Sequence, residues 1–530
     1  MGTGSAGGRV LIASNRGPVS FTLNADGRLT ARRGAGGLVS GLSSVADHDD
    51  VLWVCAALSD ADRAAVRGTQ GRLGLDGAPG GSAVHMLDIP PAVFHRAYNS
   101  VANSTLWFVY HMLYDTPNQP QFGLAFAREW ESFRTYNRTF AEALAQDAGP
   151  REPGPPARAL VQDYHLTLVP RMLADLRPDA GIAHFSHTPW APPDYYRMLP
   201  DDVGREVLEG ILGADHAGFL AQRWADSFLD CCEAFLDGVV VDRARQQVSY
   251  QGHVTGIGVH PLGVDAAELS SRAAEPDVMA RVAALAEAAG SRKLIVRIDR
   301  TELSKNIVRG LAAYRELLAT HPEWHGRVMH LAFAYPSRHD LPEYREYTAR
   351  VQRMAREISE EFGTGDWDPL ILAVDDDYAR SLAAYRLADV LLVNPIRDGM
   401  NLVAKEGPIL SERGCALVLS REAGAAAELG ADALMINPFD VSGTAQALHD
   451  ALVMPEPERQ RRAVSLARAA SALPPARWFA DQLAALEPAG PGAGEPVTRP
   501  GRTWRRPASR SVLRRRRDRP PPDRPAQPEP

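Results

Sequence analysis

Short runs of Val, Ile and Leu recur along this chain between stretches of helical spacing, and they constrain the fold more than any other feature. They fall at residues 10–13, 159–161, 293–298, 328–334, 370–374, 390–393 and 416–419. A strand apolar on both faces has to be covered on both faces, as in a parallel sheet under helices. The alternation therefore predicts an α/β protein built in layers. At 530 residues the chain exceeds what one core usually organises, and the pattern breaks at residues 261–290. We expect two Rossmann-like, doubly wound domains, residues 1–262 and 263–486, facing across a cleft, with the last helix able to pack back on the first domain. In such sheets ligands bind at the C-terminal ends of the strands.

Beyond residue 486 the composition changes to Pro, Gly and Arg with almost nothing apolar to bury, so residues 487–530 are expected to be a disordered tail. The charge divides at nearly the same place. Residues 501–530 carry ten arginines against three acids, which leaves 48 basic and 62 acidic side chains in residues 1–500. An acidic folded part argues against nucleic acid as its main partner. The RRRR run at 514–517 suits solvent, and otherwise nucleic acid or an acidic surface. No stretch approaches eighteen apolar residues and the start lacks a signal-peptide pattern, so no membrane association or secretion is expected. Cys55, Cys231, Cys232 and Cys415 are too few and too irregular for a disulfide framework, which fits reduced thiols and a cytoplasmic location.

Several polar clusters follow the apolar runs. The glycines of RRGAGGLVSGL, Gly36 and Gly37 among them, precede a helical pattern and suit a close approach of backbone amides to phosphate. RIDRTELSKN (297–306) places Arg300 and Lys305 on a strand-to-helix loop, where two cations converge on one anion. NPIRDGMNLVAKE (394–406) places free amides around Gly399–Leu402 at a helix start, with Glu406 one turn inside to accept from ribose hydroxyls. On equivalent strand ends of one domain, these elements read as a nucleoside-diphosphate site. SNRGP (14–18), QDYHL (162–166) and SHTPW (186–190) are the corresponding clusters of the first domain. The acidic run in VDDDY (374–378) reads as a helix cap more readily than as a metal site, and no metal is assigned.

With RDGMNLVAKE followed by SREAGAAAEL (420–429) and INPFD (436–440), the chain resembles the trehalose-6-phosphate synthase family of retaining glycosyltransferases over residues 10–486. That resemblance implies the two-domain GT-B arrangement. It implies that Arg300 and Lys305 bind the donor diphosphate with help from Gly36 and Gly37. Asp398 with Gly399, Met400, Asn401, Leu402 and Val403 would hold the transferred glucose and the phosphates, and Glu406 the ribose. His187 would contact the donor sugar and Asp163 the acceptor sugar, both counted with Arg300 and Lys305 as catalytic. Arg16, Tyr98, Trp107 and Arg338 would form the acceptor side. The implied reaction transfers glucose from UDP- or GDP-glucose to glucose 6-phosphate with retention, without a metal or other cofactor. These two small molecules are the implied partners.

Two departures stand out. The family's second aromatic after a first Trp is missing from LWVCAALSD, where Ala56 follows Trp53, Val54 and Cys55. Its loss is expected to widen the acceptor side. RTELSKN replaces the common R-L-D-Y-S-K wording but keeps the five-residue spacing from Arg300 to Lys305. No D-x-D-x-T phosphatase pattern follows residue 486, so the product is expected to stay phosphorylated. The alternatives are a relative acting on another acceptor, such as glycerol 3-phosphate, a cyclitol-joining pseudoglycosyltransferase, and an idle sugar-phosphate sensor. The donor nucleobase and the presence of a homo-oligomer are not legible.

Overall fold

The computed structural model describes residues 8–24, 26–33, 50–67, 69, 71–74, 83–151, 155–338 and 341–487. Gly36, Gly37 and the Arg-rich tail lie outside them. Two main sheets organise these residues. The first has ten strands, and its parallel centre runs His253–Val259, His216–Phe219, Gly181–Ser186, Arg158–Gln162, Val10–Ala13, Val51–Ala56, Ala83–Leu87. The second has six strands, all parallel, in the order Leu370–Ala373, Val328–Tyr335, Lys293–Arg300, Val390–Val393, Ala416–Ser420, Leu434–Ile436. Every apolar run named above forms a strand, apart from Val374 just past the end of Leu370–Ala373, and in Val10–Ala13, Val390–Val393 and Ala416–Ser420 every residue is buried. That is the burial a doubly covered parallel strand requires.

Numbered in chain order, the second sheet reads 3-2-1-4-5-6, and the parallel centre of the first follows the same rule. Each therefore has a switch point where successive connections leave in opposite directions and a crevice opens. In the first sheet it lies between Val10–Ala13 and Arg158–Gln162; in the second, between Lys293–Arg300 and Val390–Val393.

The structure also contains elements that the apolar runs do not announce. Antiparallel strands extend the first sheet, Arg72–Gly74 at one edge, Gln247–Tyr250 and Val240–Asp242 at the other. A hairpin, Val19–Leu23 with Leu29–Arg33, follows the first strand. Residues Arg96–Leu106 form a π-helical stretch, a conformation that recurs at functional sites.

Strands of the first sheet end by Val259 and those of the second begin at Lys293. The chain then returns: in the final helix, Pro475–Ala484, Trp478 packs edge-on against Phe185 of the first sheet, and Gln482 accepts a hydrogen bond from Gln162 at 3.1 Å. Lys405 makes a further tie, with its buried ammonium donating to the Leu262 carbonyl (2.9 Å) and to Glu428 (2.8 Å).

Candidate active site

At the second sheet's switch point, Lys293–Arg300 carries a buried ion pair. Arg297 donates to Asp299 at 2.6 Å and to the Lys305 carbonyl at 3.1 Å, which fixes the loop that bears Lys305. Across the crevice Lys305 Nζ donates to Asp398 Oδ2 at 2.6 Å, and Asn401 Nδ2 donates to the same oxygen at 3.1 Å. The two loops are also stitched by backbone, with the Ile396 amide donating to the Ser304 carbonyl at 2.8 Å. Burial works against the charge of Lys305, but Asp398, Asp299 and Glu302 outweigh it and raise the ammonium's pKa. Arg300 stands at the strand end with its side chain 57% exposed, touching Glu302 at 3.1 Å. Glu406, in the helix Val403–Leu410, accepts from Tyr385 at 3.0 Å, and burial raises its carboxyl pKa.

Asp163 follows strand Arg158–Gln162 at the first switch point, with φ 74° and ψ 170°, a region otherwise populated almost only by glycine. Its amide donates to the Phe185 carbonyl (2.7 Å), and its Oδ1 accepts from the His187 amide (3.2 Å). Burial pushes its carboxyl up to about 6, against the hydrogen bonds from the Tyr164 and His187 amides and the charge of Arg338. His187 is half-buried, and desolvation pulls its pKa down to about 3 and leaves it neutral. A relay of amides fixes its tautomer. Gln482 donates to the Trp478 carbonyl and accepts from Gln162, which leaves Gln162 Oε1 to accept from His187 Nε2 at 3.0 Å. The imidazole then carries its proton on Nε2 and offers Nδ1 as an acceptor.

The two switch points meet at Gly399. A Cβ there would lie 2.0 Å from the His187 carbonyl oxygen, so only glycine permits this approach. The Gly399 carbonyl accepts from Trp224 Nε1 at 3.0 Å, and the Gly424 and Ala425 amides bond to the carbonyls of Asp398 and Met400. Asn401, at φ 78°, uses its Oδ1 to cap the Ala404 amide just ahead of Leu402 and Val403.

Among the residues expected on the acceptor side, Arg338 adopts φ 46° and lays its guanidinium over the Trp107 ring at 4.1 Å, while donating to Tyr344 (2.7 Å) and Tyr164 (3.3 Å). Tyr98 stacks on His165 at 5.4 Å. Burial first, then the charges of Arg338 and Arg16, drive the His165 imidazole neutral, so both guanidiniums bear on one place. Arg16 is exposed on a turn held by Ser14 Oγ, which donates to the Arg16 carbonyl and accepts from Trp53 Nε1. Ala56 is buried where its strand meets Asn15. Of seven non-glycine residues with positive φ among the described residues, Asp163, Asn306, Arg338, Asn401 and Met112 all cluster here. Strain of about 1–3 kcal/mol each persists only where surroundings over-determine it.

Of the predicted residues, the structure joins Lys305, Asp398 and Asn401, brings Asp163 and Gly399 to His187, and lays Arg338 on Trp107; Gly36 and Gly37 are outside the described residues. Glu302 inside RIDRTELSKN, Ser337 directly before Arg338, and Tyr164 and Gln162 of QDYHL belong to the same neighbourhood without having been singled out by sequence. Gln482 carried no signal, because only folding brings it back. Asp377 caps the helix Tyr378–Leu387 and pairs with Arg281 at 2.8 Å, as the capping reading of VDDDY expects. Among the described residues, the group spaced to hold a metal ion is His321, Glu323 and His449. It lies at the far end of helix Ile307–Thr320, about 20 Å from Lys305 at 1.5 Å per residue. No helix of the described residues is long and apolar enough to cross a membrane.

The comparisons with known proteins agree with this geometry. The family description Glycosyltransferase family 20 matches residues 8–488. The bifunctional trehalose-6-phosphate synthase/phosphatase of Thermoproteus tenax is 32% identical over 90% of this chain, which spans 63% of that protein. The UDP-forming α,α-trehalose-phosphate synthase of Schizosaccharomyces pombe is 32% identical, over 87% of this chain and 86% of the relative. The validamine 7-phosphate valienyltransferase of Streptomyces hygroscopicus subsp. jinggangensis is 30% identical, over 91% and 94%. Among solved structures, the UDP-forming synthase of Burkholderia xenovorans in complex with glucose-6-phosphate superimposes with a TM-score of 0.77 at 26% identity, covering 90% of this chain and all of that one. A paired lysine and aspartate at one switch point, a strained aspartate at the other and a family match over nearly the whole length make this chain a member of glycosyltransferase family 20, with the GT-B fold.

Proposed function

We propose that the protein is a retaining glucosyltransferase that moves glucose from a nucleoside-diphosphate-glucose to the anomeric hydroxyl of glucose 6-phosphate, giving α,α-trehalose 6-phosphate. The observation that carries this reading is the meeting of the two switch points at Gly399 and His187, with donor-side cations on one side and the Arg338–Trp107 pair on the other. The names of the fission-yeast and Burkholderia relatives support the choice of donor and acceptor.

In this reading Arg300 and Lys305 hold the diphosphate, Asp398 and residues 399–403 hold the glucose, and Glu406 takes the ribose. Arg338, Arg16 and Tyr98 hold the acceptor's phosphate against Trp107, and Asp163 accepts from an acceptor hydroxyl. The bond from the glucose C1 to the β-phosphate oxygen breaks as the bond from C1 to the acceptor oxygen forms on the same face. The acceptor's proton passes to the departing phosphate oxygen. Catalysis then rests on positioning and on cations aimed at the charge that develops on that oxygen. Arg300 and Lys305 supply that charge stabilisation, so the reaction proceeds without a metal. A cytoplasmic setting suits the four cysteines, all buried as free thiols.

The test is nucleotide release from UDP-, GDP- and ADP-glucose, with and without glucose 6-phosphate and with EDTA, the product being identified by NMR. Release that depends on glucose 6-phosphate, persists in EDTA and yields an α,α-1,1 linkage is the expected result. Turnover only with glycerol 3-phosphate or a cyclitol phosphate refutes the acceptor assignment, and binding without turnover refutes catalysis.

A further inference from the structure

The mechanism above does not use the buried charge of Glu302. Glu302 sits between Arg300 and the turn Leu303–Lys305 with its side chain wholly buried. Its Oε1 accepts from Ser337 Oγ at 2.9 Å and forms an ion pair with Arg300 Nη1 at 3.1 Å. Its Oε2 is buried with no hydrogen-bond partner among the described residues. Burial opposes its ionisation, yet the charges of Arg300, Arg338 and Lys305 together with the Ser337 hydroxyl bring its pKa down to about 2. An ionised, buried carboxylate with one oxygen unpartnered among the described residues is costly, and neutral side chains of similar size fold at lower cost. Its neighbours show what it does. Arg300 is more than half exposed, and a side chain so free spends most of its time away from any one geometry. Contact through Nη1 alone leaves the rest of its guanidinium fork to face a diphosphate. Ser337 directly precedes Arg338, so the same carboxylate is tied to the loop carrying the acceptor-side cation.

We propose that Glu302 is a positioning residue that aims Arg300 at the donor diphosphate and, through Ser337, sets the loop of Arg338 for the acceptor phosphate. This rests on the reading that Arg300 grips the donor. Glu302→Gln keeps the size and an oxygen for Ser337 but removes the charge; Glu302→Asp keeps the charge. Steady-state kinetics of both, alone and combined with Arg300→Ala, test the idea. Glu302→Gln should lower kcat by about 10- to 100-fold, as misplacement near 1 Å does, and raise the acceptor KM. Glu302→Asp should recover most of kcat. In the Arg300→Ala background Glu302→Gln should leave kcat unchanged while still raising the acceptor KM. Equal losses of kcat in the wild-type and Arg300→Ala backgrounds overturn the proposal, as does a Glu302→Gln enzyme with wild-type constants. Full activity of Arg300→Ala alone refutes the underlying donor reading instead. If Glu302→Gln does not fold, Ser337→Ala carries the same test. It leaves the charge but frees the carboxylate to swing, so kcat should fall and Arg300→Ala should mask the fall; wild-type kcat in Ser337→Ala then overturns the proposal.

Discussion

Gly399→Ala perturbs the point where the two halves of the site touch, and its cost follows from the distances. The added Cβ would lie 2.0 Å from the His187 carbonyl oxygen, 2.9 Å from its carbon and 3.1 Å from Leu220 Cδ1. The nearest atom is backbone, and no side-chain rotation relieves the contact. The segment has to withdraw by about 1 Å even to reach the 3.0 Å that real Cβ contacts respect. Asp398 is the adjacent residue and holds Lys305 at 2.6 Å, so the withdrawal shifts the donor side relative to His187 and Asp163. A shift of this size costs about 100-fold in rate, whereas overpacking costs only about 1–3 kcal/mol of stability. The expected Gly399→Ala protein is therefore folded and about 100-fold slower in glucose-6-phosphate-dependent nucleotide release. Gly204→Ala is the control, because its Cβ meets nothing nearer than Tyr196 Cε1 at 3.3 Å. It should keep wild-type kcat. A Gly399→Ala enzyme with wild-type kcat and melting temperature would show that the two switch points do not need this contact.

Other perturbations reach different parts of the same site. Lys305→Ala removes the Asp398 bridge and a cation for the leaving group, and should lower kcat by about 100-fold or more; unchanged turnover removes it from the mechanism. The carboxyl of Asp163, with its pKa near 6, is protonated below that pH and then no longer accepts as an anion. The acceptor kcat/KM should therefore fall below pH 6 more steeply in wild type than in Asp163→Asn, where only the acceptor phosphate, itself titrating near 6, remains. Profiles that overlay after scaling contradict this. Gln482→Leu breaks the relay that sets the His187 tautomer, and should lower kcat with little change in either KM; a change confined to KM argues for a binding role instead. For stability, burial pulls the pKa of His111, His187 and His330 down to about 3 and that of His184 to about 4. The unfolded chain takes up these protons first, so stability is complete above about pH 6.5 and is lost as pH falls. Each histidine can contribute about 1.4 kcal/mol per pH unit to that loss. The melting temperature should drop steeply between pH 6.5 and 4.5, and a flat profile would refute the assignment of these rings as neutral.

The fold was legible because its signal is redundant: each doubly buried strand has to be apolar along its whole length, and Val10–Ala13 or Val390–Val393 can be read in isolation. The antiparallel edge strands escaped notice because exposed faces dilute the apolar signal, as in Gln247–Tyr250, where burial alternates. The π-helical stretch Arg96–Leu106 has no sequence signature, since it differs from an α-helix only in which carbonyl each amide meets. In the site, Arg300, Lys305 and Asp398 were readable as charges beside strand ends, whereas Glu302 hid among them as one more loop acid. Its importance rests on complete burial against three cations, a property of the packed loops and not of the local sequence. Gln482 is further out of reach, 320 residues from the Gln162 amide that it accepts from. Strand order explains why these distant parts meet at all. Among their parallel strands both sheets put the first beside the fourth, so Arg16 and Asp163 leave the first crevice as Lys305 and Asp398 leave the second. A return helix that bonds across the two halves then sets the tautomer of the histidine whose carbonyl touches Gly399. The proposed donor and acceptor sides are therefore coupled by topology before any substrate arrives, which is why a single methyl group at Gly399 is expected to slow the chemistry while leaving each half folded.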